Sequence, residues 1–543
     1  MNRKVIYISD FFVSDVIGGA ELNDDELIKL LSEDGFIVEK IRSTKVKESF
    51  LQERKDCFFI ISNFCGLSSN CKEFMIDLDY IIYEHDHKYL KNRNPISYEN
   101  FKAEPHQIIN FFLYKNAKKI ICQSKFHKSI IDKNLNLDNT ISVGGNLWST
   151  RTLNKISELS ITQKSNKCSI LESNIANKNT AGTVQYCLSK KIDFQLVKSS
   201  NYFHFLELLS KNEKFIFLPR SPETLSRVVV EARMLGCKVL TNQMVGATHE
   251  DWFKLKGPEL VEYIRNKRTE ILLLVKNLIN KDYDKIEKPK VSIISTFYKA
   301  EKFIEGFMED ITSQTIFHEC EFIIVDSASP GKEQEIVQSY CKQYKNIKYI
   351  RYDELFPPTK GHNLAMMQCN SKYITWAMID DRKSEDFLET MYNELCNNKE
   401  IDLVYGDCLV TSVENEKLNE TKSEKYSEHS VLHFSKENMI KCLPGPMPMW
   451  TRRMINNVGF FDDENQNFSD DWELWLRSVS MGSVFKKIDK IVGLYLEGGR
   501  SQDSHNIEQK IEEAKLFFKY KDLFGENYKN YYDYFRQFVG LKK

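Results

Sequence analysis

Short apolar runs alternate with amphipathic helical patterns along almost the whole chain. An apolar run bounded by turn residues is typical of a buried strand, and apolar positions at helical spacing indicate a helix that covers a sheet. A chain that repeats this order folds into α/β layers with mainly parallel strands, because consecutive parallel strands need a helical crossover between them. The alternation therefore predicts the α/β class.

The alternation divides the chain into four parts, and a charged stretch marks the main boundary. For a first lobe, 1–150, we expect strands at 4–8, 36–41, 57–61, 79–84 and 118–122 and helices near 20–34, 104–116 and 125–134. For a second lobe, 151–285, we expect strands at 168–172, 193–197, 214–218 and 237–241 and helices near 180–189, 201–210 and 224–235. A helical pattern over 257–281 then runs into DYDKIEKPK, and the alternation restarts at VSIISTFY. We therefore place a third domain at 286–520 and a tail at 521–543.

Composition excludes several classes of function. The 543 residues carry 76 Lys and Arg against 77 Asp and Glu, so no overall field draws the chain to nucleic acid. The 13 cysteines are scattered without a CxxC pair, which favours a reducing compartment over a disulfide framework. The N-terminal apolar run is short, and no stretch is long enough to span a membrane. We expect a cytoplasmic protein, with peripheral membrane contact left open.

Two adjacent carboxylates follow one predicted strand of the third domain. Residues 373–381 form an apolar run that delivers Asp380 and Asp381 at its C-terminal end. Ligands of open α/β sheets bind beyond the carboxyl ends of the strands, and hard oxygen ligands there suit Mg²⁺ or Mn²⁺ held jointly with phosphates. The alternative is that the dyad only caps the helix that follows it.

Other polar residues are predicted at the same rim. Asp326 ends the strand EFIIVD, and Gly361 and Asn363 lie where the helix PTKGHNLAMMQ begins. Asp470 and Asp471 begin the amphipathic helix DDWELWLRSV. Carboxyl ends of parallel strands and the N-termini of the following helices share one edge of a sheet, so these groups converge.

These segments together resemble glycosyltransferase family 2, whose members have the GT-A fold with a mostly parallel sheet. The resemblance runs from about Lys290 onward through VSIISTFYKAEKFI, EFIIVDSAS, IDDR and DDWELWLR. It implies a nucleotide-sugar donor, expected to be UDP-linked with GDP and dTDP left open, and a Mn²⁺ or Mg²⁺ ion. It implies that the donor is bound by Thr296, Tyr298, Asp326, Gly361, Asn363 and Asp380, and the metal by Asp381.

The same resemblance implies the mechanism. Asp471, six residues before Arg477, matches the family's catalytic base and would take the proton of an acceptor hydroxyl that displaces the nucleotide with inversion. Three positions depart from the family pattern. Ser327 stands where a second Asp is usual, Arg382 follows the dyad, and YLEGGRS lacks a histidine, which leaves His505 or solvent to complete the metal shell.

The segment LPGPMPMWTRRM precedes the helix that carries the base, in the region of the family that faces the acceptor. Trp450 would stack there on a sugar or lipid headgroup, with Asp470 beside it; the alternative is that Trp450 is a core residue. We expect a glycan, glycoprotein or lipid-linked acceptor and no nucleic acid.

The N-terminal half carries weaker signals. Gly18 and Gly19 precede a helix. Their backbone amides either face an anionic group at the helix N-terminus, or the two glycines only allow a tight turn from strand to helix. Glu223 and Glu231 are slightly over two helical turns apart, so both face one cleft if Glu223 caps that helix. Together with AKKIICQSKF and MLGCKVLTNQMVGATHE, these pieces resemble glycosyltransferase family 4, which has the GT-B fold of two Rossmann-type lobes.

The family 4 resemblance implies a second donor site. Glu231 would bind the ribose, Glu223 would lie near the sugar, Lys178 would neutralise the diphosphate, and His85 would lie on the acceptor side, with retention of configuration. The arginine that usually precedes the lysine is not evident, and both lobes are short.

Three hypotheses of function follow. The first is a bifunctional enzyme whose two halves add successive sugars to one glycan. The second is a single active GT-A domain with a non-catalytic module that binds the acceptor or acts as a scaffold. The third, transfer to a modified nucleic-acid base, is disfavoured by the balanced charge. The aromatic and basic tail either touches a membrane interface or packs on its own domain.

Overall fold

The computed structural model describes residues 3–281, 288–465, 468–498 and 507–540. The chain forms two compact units. Unit 1 comprises Met1–Ala103 and Asn110–Asp284, and unit 2 comprises Glu104–Ile109 and Lys285–Lys543.

The first lobe of unit 1 is built on a six-stranded parallel sheet. Its strands are β1 (Val5–Ser9), β2 (Val38–Arg42), β3 (Phe58–Ile61), β4 (Asp79–Tyr83), β5 (Ile120–Cys122) and β6 (Thr140–Ser142). They lie in the order β2-β1-β3-β4-β5-β6. The accompanying helices are α1 (Gly19–Glu33), α2 (Glu48–Gln52), α3 (Ser69–Met75), α4 (Phe111–Lys115) and α5 (Lys125–Leu135). Helix α6 (Thr150–Ser160) follows β6 and packs on the second lobe, where its Leu153 and Ile156 are buried.

The second lobe of unit 1 has a smaller parallel sheet. It contains β7 (Ser165–Leu171), β8 (Phe194–Val197), β9 (Asn212–Phe217) and β10 (Lys238–Thr241), in the order β10-β9-β7-β8. Its helices are α7 (Thr180–Ser189), α8 (Tyr202–Ser210), α9 (Arg227–Met234) and α10 (Pro258–Asn280).

Helix α10 joins the two lobes of unit 1. Leu260, Val261 and Ile264 in its first half are buried in the core of the second lobe. Ile271, Val275 and Ile279 in its second half are buried in the core of the first lobe. One long amphipathic helix thus contributes to both cores, which fixes the lobes against each other and shapes the cleft between them.

Unit 2 is built on an eight-stranded mixed sheet. Its strands are β11 (Val291–Phe297), β12 (Glu321–Ser327), β13 (Ile347–Tyr352), β14 (Tyr373–Trp376), β15 (Arg382–Lys383), β16 (Leu403–Thr411), β17 (Met449–Thr451) and β18 (Phe485–Leu496). Their order is β13-β12-β11-β14-β17-β16-β18-β15, and β11 to β14 pair in parallel. The helices are α11 (Glu301–Thr312), α12 (Glu333–Gln343), α13 (Pro358–Gln368), α14 (Phe387–Asn397), α15 (Arg452–Val458), α16 (Asp470–Ser480), α17 (Ile507–Lys519) and α18 (Asn527–Arg536).

The predicted α/β class with mostly parallel strands is confirmed. The predicted helix over 104–116 is wrong: Asn110 adopts a left-handed conformation, only Phe111–Lys115 is α-helical, and residues 104–109 belong to unit 2. Strand β14 ends at Trp376, so Asp380 and Asp381 lie in the turn after it rather than within it.

Two further features concern membranes. Within the described ranges, no helix is long and apolar enough to cross a bilayer. The aromatic side chains of the C-terminal segment stack on their own unit. The ring centroids of Phe517 and Phe535 are 4.5 Å apart, and Trp472 packs against Phe524 and Phe535. Tyr531 and Tyr534 of α18 remain partly exposed.

Substituting Ile271 by Ala tests the joining role of α10. The side chain is 1% exposed, so we expect Ile271→Ala to lower the free energy of unfolding of the first lobe by about 2–5 kcal/mol through the cavity it leaves. Leu273, on the same helix, is 50% exposed, and Leu273→Ala should cost less than about 0.5 kcal/mol. Hydrogen exchange of the β1 and β4 amides measures the stability of the first lobe in both variants. An equal loss of protection in Ile271→Ala and Leu273→Ala would contradict the joining role of α10.

Candidate functional site

The rim of unit 2 forms where three parallel strands end. Phe297 at the end of β11 pairs with Asp326 near the end of β12, and Trp376 at the end of β14 pairs with Ile294 of β11. The loops that follow these strands therefore lie side by side. Thr296, Asp326 and the turn with Asp380 and Asp381 all belong to this edge.

Helix α13 lies directly against the end of β11. A Cβ atom at Gly361 would come within 2.1 Å of Thr296 Oγ1 and 2.8 Å of Thr296 Cβ, so only glycine allows this approach. Asn363, two residues further along α13, is buried and exchanges two 3.0 Å hydrogen bonds with the backbone of Phe461. Asn363 therefore holds the segment before α16. Tyr298, in contrast to these buried residues, is 40% exposed at the rim.

Asp326 is completely buried and fully engaged. Its carboxylate forms an ion pair with Arg351, accepts a 2.7 Å hydrogen bond from the Tyr349 hydroxyl and accepts a 2.9 Å hydrogen bond from the Ser329 amide. Burial and the nearby carboxylate raise the pKa of Tyr349 well above its usual value, so the phenol stays a donor. These bonds fix the loop after β12.

The Asp380–Asp381 dyad has a different environment. Asp381 is buried and accepts one hydrogen bond, 3.1 Å from the Leu496 amide. Among the described residues neither carboxylate forms an ion pair, since the Arg382 guanidinium is bonded to the carbonyls of Ile379 and Asp381 and to the Asn415 amide oxygen. Burial, and then the charge of Asp380, raises the pKa of Asp381 well above its usual range.

Two adjacent carboxylates that form no ion pair among the described residues fit a divalent cation by the chemistry of their oxygens. In the described ranges no cluster of three or more His, Cys, Asp or Glu side chains stands ready to hold a metal. Helix α14 begins at Phe387 after Asp386, so the dyad does not cap it. His505, the other ligand considered from the sequence, lies outside the described residues.

The first turn of α16 presents a second carboxylate pair. Asp470 accepts a 2.7 Å hydrogen bond from Thr359 in the first turn of α13, which joins the two helix N-termini. Asp471 accepts from the Trp472 amide at 2.6 Å and from the Cys442 thiol at 3.3 Å. Burial and the charge of Asp471 raise the pKa of Asp470 to about 7, and burial raises the pKa of Asp471.

A buried ion pair holds α16 in place, and the sequence analysis missed it. Arg477 donates to Glu473 at 2.8 Å and to the Phe460 carbonyl at 2.8 Å, and it also bonds the Val458 carbonyl. Burial alone would raise the pKa of Glu473, but Arg477 lowers it to about 2. The i, i+4 spacing of Glu and Arg was the signal for this pair.

Trp450 is not at the acceptor side. It is 0% exposed and packs between Trp376 and Trp475, with ring centroids 5.7 and 5.5 Å away. It pairs with Ile374 of β14, which directs its side chain into the core of unit 2. The predicted stacking on a sugar is therefore wrong, and the core alternative is correct.

The predicted residues of the N-terminal half meet in one cleft of about 550 Å³ within unit 1. Its lining includes Gly18, Gly19, His85, Lys178, Glu223 and Glu231. Helix α9 begins at Arg227, so Glu223 lies in the preceding loop and does not cap that helix. Both carboxylates nevertheless reach the same cleft.

The two glutamates of this cleft are hydrogen-bonded within the protein. Lys178 binds both oxygens of Glu223, at 2.9 and 2.8 Å. Glu231 is 3% exposed and accepts from Trp148 Nε1 at 2.9 Å and from the Tyr202 hydroxyl at 2.6 Å. The sequence analysis missed Trp148 and Tyr202, which lie on other elements and have no fixed spacing from Glu231.

His85 is likewise occupied on both sides of its ring. Its Nε2 lies 2.8 Å from Asp24 Oδ1, and its Nδ1 is bonded to the Gln123 amide. Asp24 is itself buried and accepts a 2.8 Å hydrogen bond from the Tyr7 hydroxyl. Neither ring nitrogen is left to take a proton from a ligand.

Comparisons with known proteins identify the chemistry of unit 2. Residues 292–459 match the model of the family described as glycosyl transferase family 2. Over 237 residues the chain is 25% identical to an uncharacterised glycosyltransferase of Methanocaldococcus jannaschii, covering 43% of this chain and 79% of the relative. These matches identify the chain as a glycosyltransferase. The residues that match the family 2 model lie in unit 2, and the resemblance of unit 1 to family 4 stays a prediction.

Two further similarities are partial. The chain is 31% identical over 110 residues to the teichoic acid poly(glycerol phosphate) polymerase of Staphylococcus epidermidis, covering 20% of this chain and only 15% of that relative. The crystal structure of S. aureus TarS aligns with a TM-score of 0.37 and 14% identity, covering 46% of each chain.

The close contact between Gly361 and Thr296 predicts that a substitution at Thr296 restores the stability lost on substituting Gly361. Gly361→Ala should destabilise unit 2 by about 1–3 kcal/mol, because the added methyl group overlaps Thr296. Thr296→Gly combined with Gly361→Ala removes the overlap and should recover most of that loss. Gly331→Ala is the matched control, since its Cβ would meet only the ends of flexible glutamate side chains. Thermal unfolding of wild type and these three variants measures the effects; Gly361→Ala as stable as wild type would contradict the close approach.

Proposed function

We propose that unit 2 catalyses inverting transfer of a sugar from a nucleotide-sugar donor, expected to be UDP-linked, with Asp471 as the general base. The observation that carries this proposal is the pair Asp470 and Asp471 at the first turn of α16, bonded through Thr359 to the helix that covers the donor-side strand β11. The family 2 match over 292–459 supports sugar transfer by unit 2, and the assignment of Asp471, which follows the matched range, rests on the geometry of α16.

The reaction is a single displacement. The acceptor hydroxyl gives its proton to the Asp471 carboxylate as its oxygen forms a bond to the anomeric carbon. The bond from that carbon to the diphosphate oxygen breaks, and the nucleoside diphosphate leaves with the electron pair. Asp471 is suited to this role because burial raises its pKa and strengthens it as a base.

We propose that Asp380 and Asp381 bind the donor side, with Asp381 holding Mn²⁺ or Mg²⁺ and Asp380 facing the ribose. A bound divalent ion would supply charge stabilisation to the departing diphosphate. Thr296 and Tyr298 would face the nucleotide, while buried Asp326 shapes the loop that contacts its base or ribose.

For unit 1, two hypotheses stand: a second active centre, or a binding module that holds an acceptor. The internal pairing of the cleft favours the binding module. A diphosphate would have to displace Glu223 from Lys178, which holds both oxygens of that carboxylate. This exchange breaks bonds formed within the protein.

We propose a glycan, glycoprotein or lipid-linked acceptor and a cytoplasmic enzyme with peripheral membrane contact. The similarity to a teichoic acid poly(glycerol phosphate) polymerase of Staphylococcus epidermidis supports a polymer as acceptor. The proposed domains are 1–150 and 151–285 for the two lobes of unit 1, 286–520 for the transferase, and 521–543 for the tail.

A donor-hydrolysis screen tests the division of labour. UDP-, GDP- and dTDP-sugars with Mn²⁺ are incubated with wild type, Asp381→Ala and Glu231→Ala. We expect one donor to be hydrolysed, with the activity lost in Asp381→Ala and kept in Glu231→Ala. Two donors, each lost in a different variant, would show that unit 1 is also an active centre.

Asp471→Asn tests the base. General-base catalysis contributes about 10²–10⁴-fold, so kcat should fall by that factor while the affinity for donor stays unchanged, because the amide cannot accept the proton. Exposed Asp522→Asn is the matched control and should be fully active. Steady-state kinetics with a donor-binding titration decides; full turnover in Asp471→Asn would remove Asp471 from this role.

The carboxylate pair also predicts a pH dependence. The base must be ionised, so activity falls as pH drops through the raised pKa values of the pair, one of them about 7. In Asp470→Asn the neighbouring negative charge is gone, the pKa of Asp471 falls, and the acid limb of kcat against pH moves to lower pH. An acid limb that stays in place or moves to higher pH would contradict the coupling.

A further inference from the structure

We propose that Cys442 is a positioning residue that orients the carboxylate of Asp471 for proton transfer. This inference rests on the proposed role of Asp471 as the base. Cys442 lies in the loop before β17, and helix α16, which carries Asp471, follows later in the chain. Nothing in the sequence pattern singled out Cys442.

The carboxylate of Asp471 has one fixed donor on each oxygen. Oδ1 accepts from the Trp472 amide at 2.6 Å, and Oδ2 accepts from the Cys442 thiol at 3.3 Å. The torsion that rotates a carboxylate is broad, so a single hydrogen bond leaves its plane poorly defined. Donors from two separate segments define the plane and leave a lone pair free on each oxygen.

The loop that carries Cys442 is itself held at three points. Trp472 Nε1 donates to the Met439 carbonyl at 2.8 Å, and Trp376 Nε1 donates to the Pro446 carbonyl at 2.9 Å. The Thr375 hydroxyl donates to the Pro448 carbonyl at 2.7 Å. Trp472 directly follows Asp471 in the chain, and its indole is bonded to the loop that carries Cys442. The same indole therefore helps to place the thiol beside the carboxylate.

The thiol can act only as a neutral donor. Burial and the charge of Asp471 raise the pKa of Cys442 well above its usual value, so the proton stays on sulfur. The titratable groups that face Asp471 are Asp470 on its own helix and Cys442 and His429 on the loop. Of these, only Cys442 donates a hydrogen bond to Asp471.

This arrangement separates orientation from charge. A cation bonded to Asp471 would orient it but would also weaken it as a base. A thiol holds Oδ2 without adding charge, and its bond favours the ionised carboxylate. Loss of the thiol should therefore misorient the base and raise its pKa, with no effect on the donor side.

Two variants of Cys442 test this. Cys442→Ala should lower kcat by about tenfold, the value of one hydrogen bond to a charged group, and move the acid limb to higher pH at unchanged donor KM. The hydroxyl of Cys442→Ser is a stronger hydrogen-bond donor than the thiol. The acid limb of its kcat profile should therefore lie at the same pH as in wild type or at lower pH. Cys341→Ala, at a half-buried cysteine of α12, is the control and should match wild type.

The outcomes are decisive in both directions. A Cys442→Ala profile that coincides with wild type would overturn the inference, as would an acid limb of Cys442→Ser at higher pH. Thermal unfolding accompanies each assay, and if Cys442→Ala does not fold, the Cys442→Ser profile decides alone. Asp471→Asn separates the two proposals: an active Asp471→Asn removes the base itself, whereas an inactive one beside a normal Cys442→Ala refutes only the role of the thiol.

Discussion

The buried pair of Glu473 and Arg477 is the interaction on which the arrangement of unit 2 depends. A buried ion pair is tolerated when its remaining donors and acceptors are satisfied, and here they are. Arg477 also bonds the carbonyls of Val458 and Phe460, while Glu473 also accepts from Tyr520 of the C-terminal segment. One pair thereby fixes helix α16 to the chain before it and after it.

The consequence is a helix N-terminus presented at the ends of the parallel strands. The partial positive charge of that terminus favours carboxylates there, which suits Asp470 and Asp471. The carboxylates of the rim divide into two kinds. Asp326 forms an ion pair with Arg351 and shapes a loop, whereas the carboxylates of the two dyads form no ion pair among the described residues and burial raises the pKa of Asp381 and of Asp470. Buried carboxylates without an ion pair lower the stability of the fold. Carboxylates whose pKa values are shifted in this way are typical of functional sites.

The sequence predicted the periodic parts of the protein well and the long-range parts poorly. Helix α7 begins and ends where its apolar spacing indicates, and Asp471 begins a helix as expected. A left-handed Asn110 is invisible to periodicity, so the helix over 104–116 was overextended. The burial of Trp450 and the occupation of Glu231 depend on partners distant in sequence, which no local pattern encodes.

The anomeric configuration of the released sugar tests the central claim most directly. A proton NMR time course of donor hydrolysis, followed before mutarotation, records which anomer forms first in wild type and in Glu231→Ala. A base on the face opposite the diphosphate predicts the inverted anomer in both proteins. A retained anomer in Glu231→Ala would contradict a single displacement at unit 2, and with it the role of Asp471.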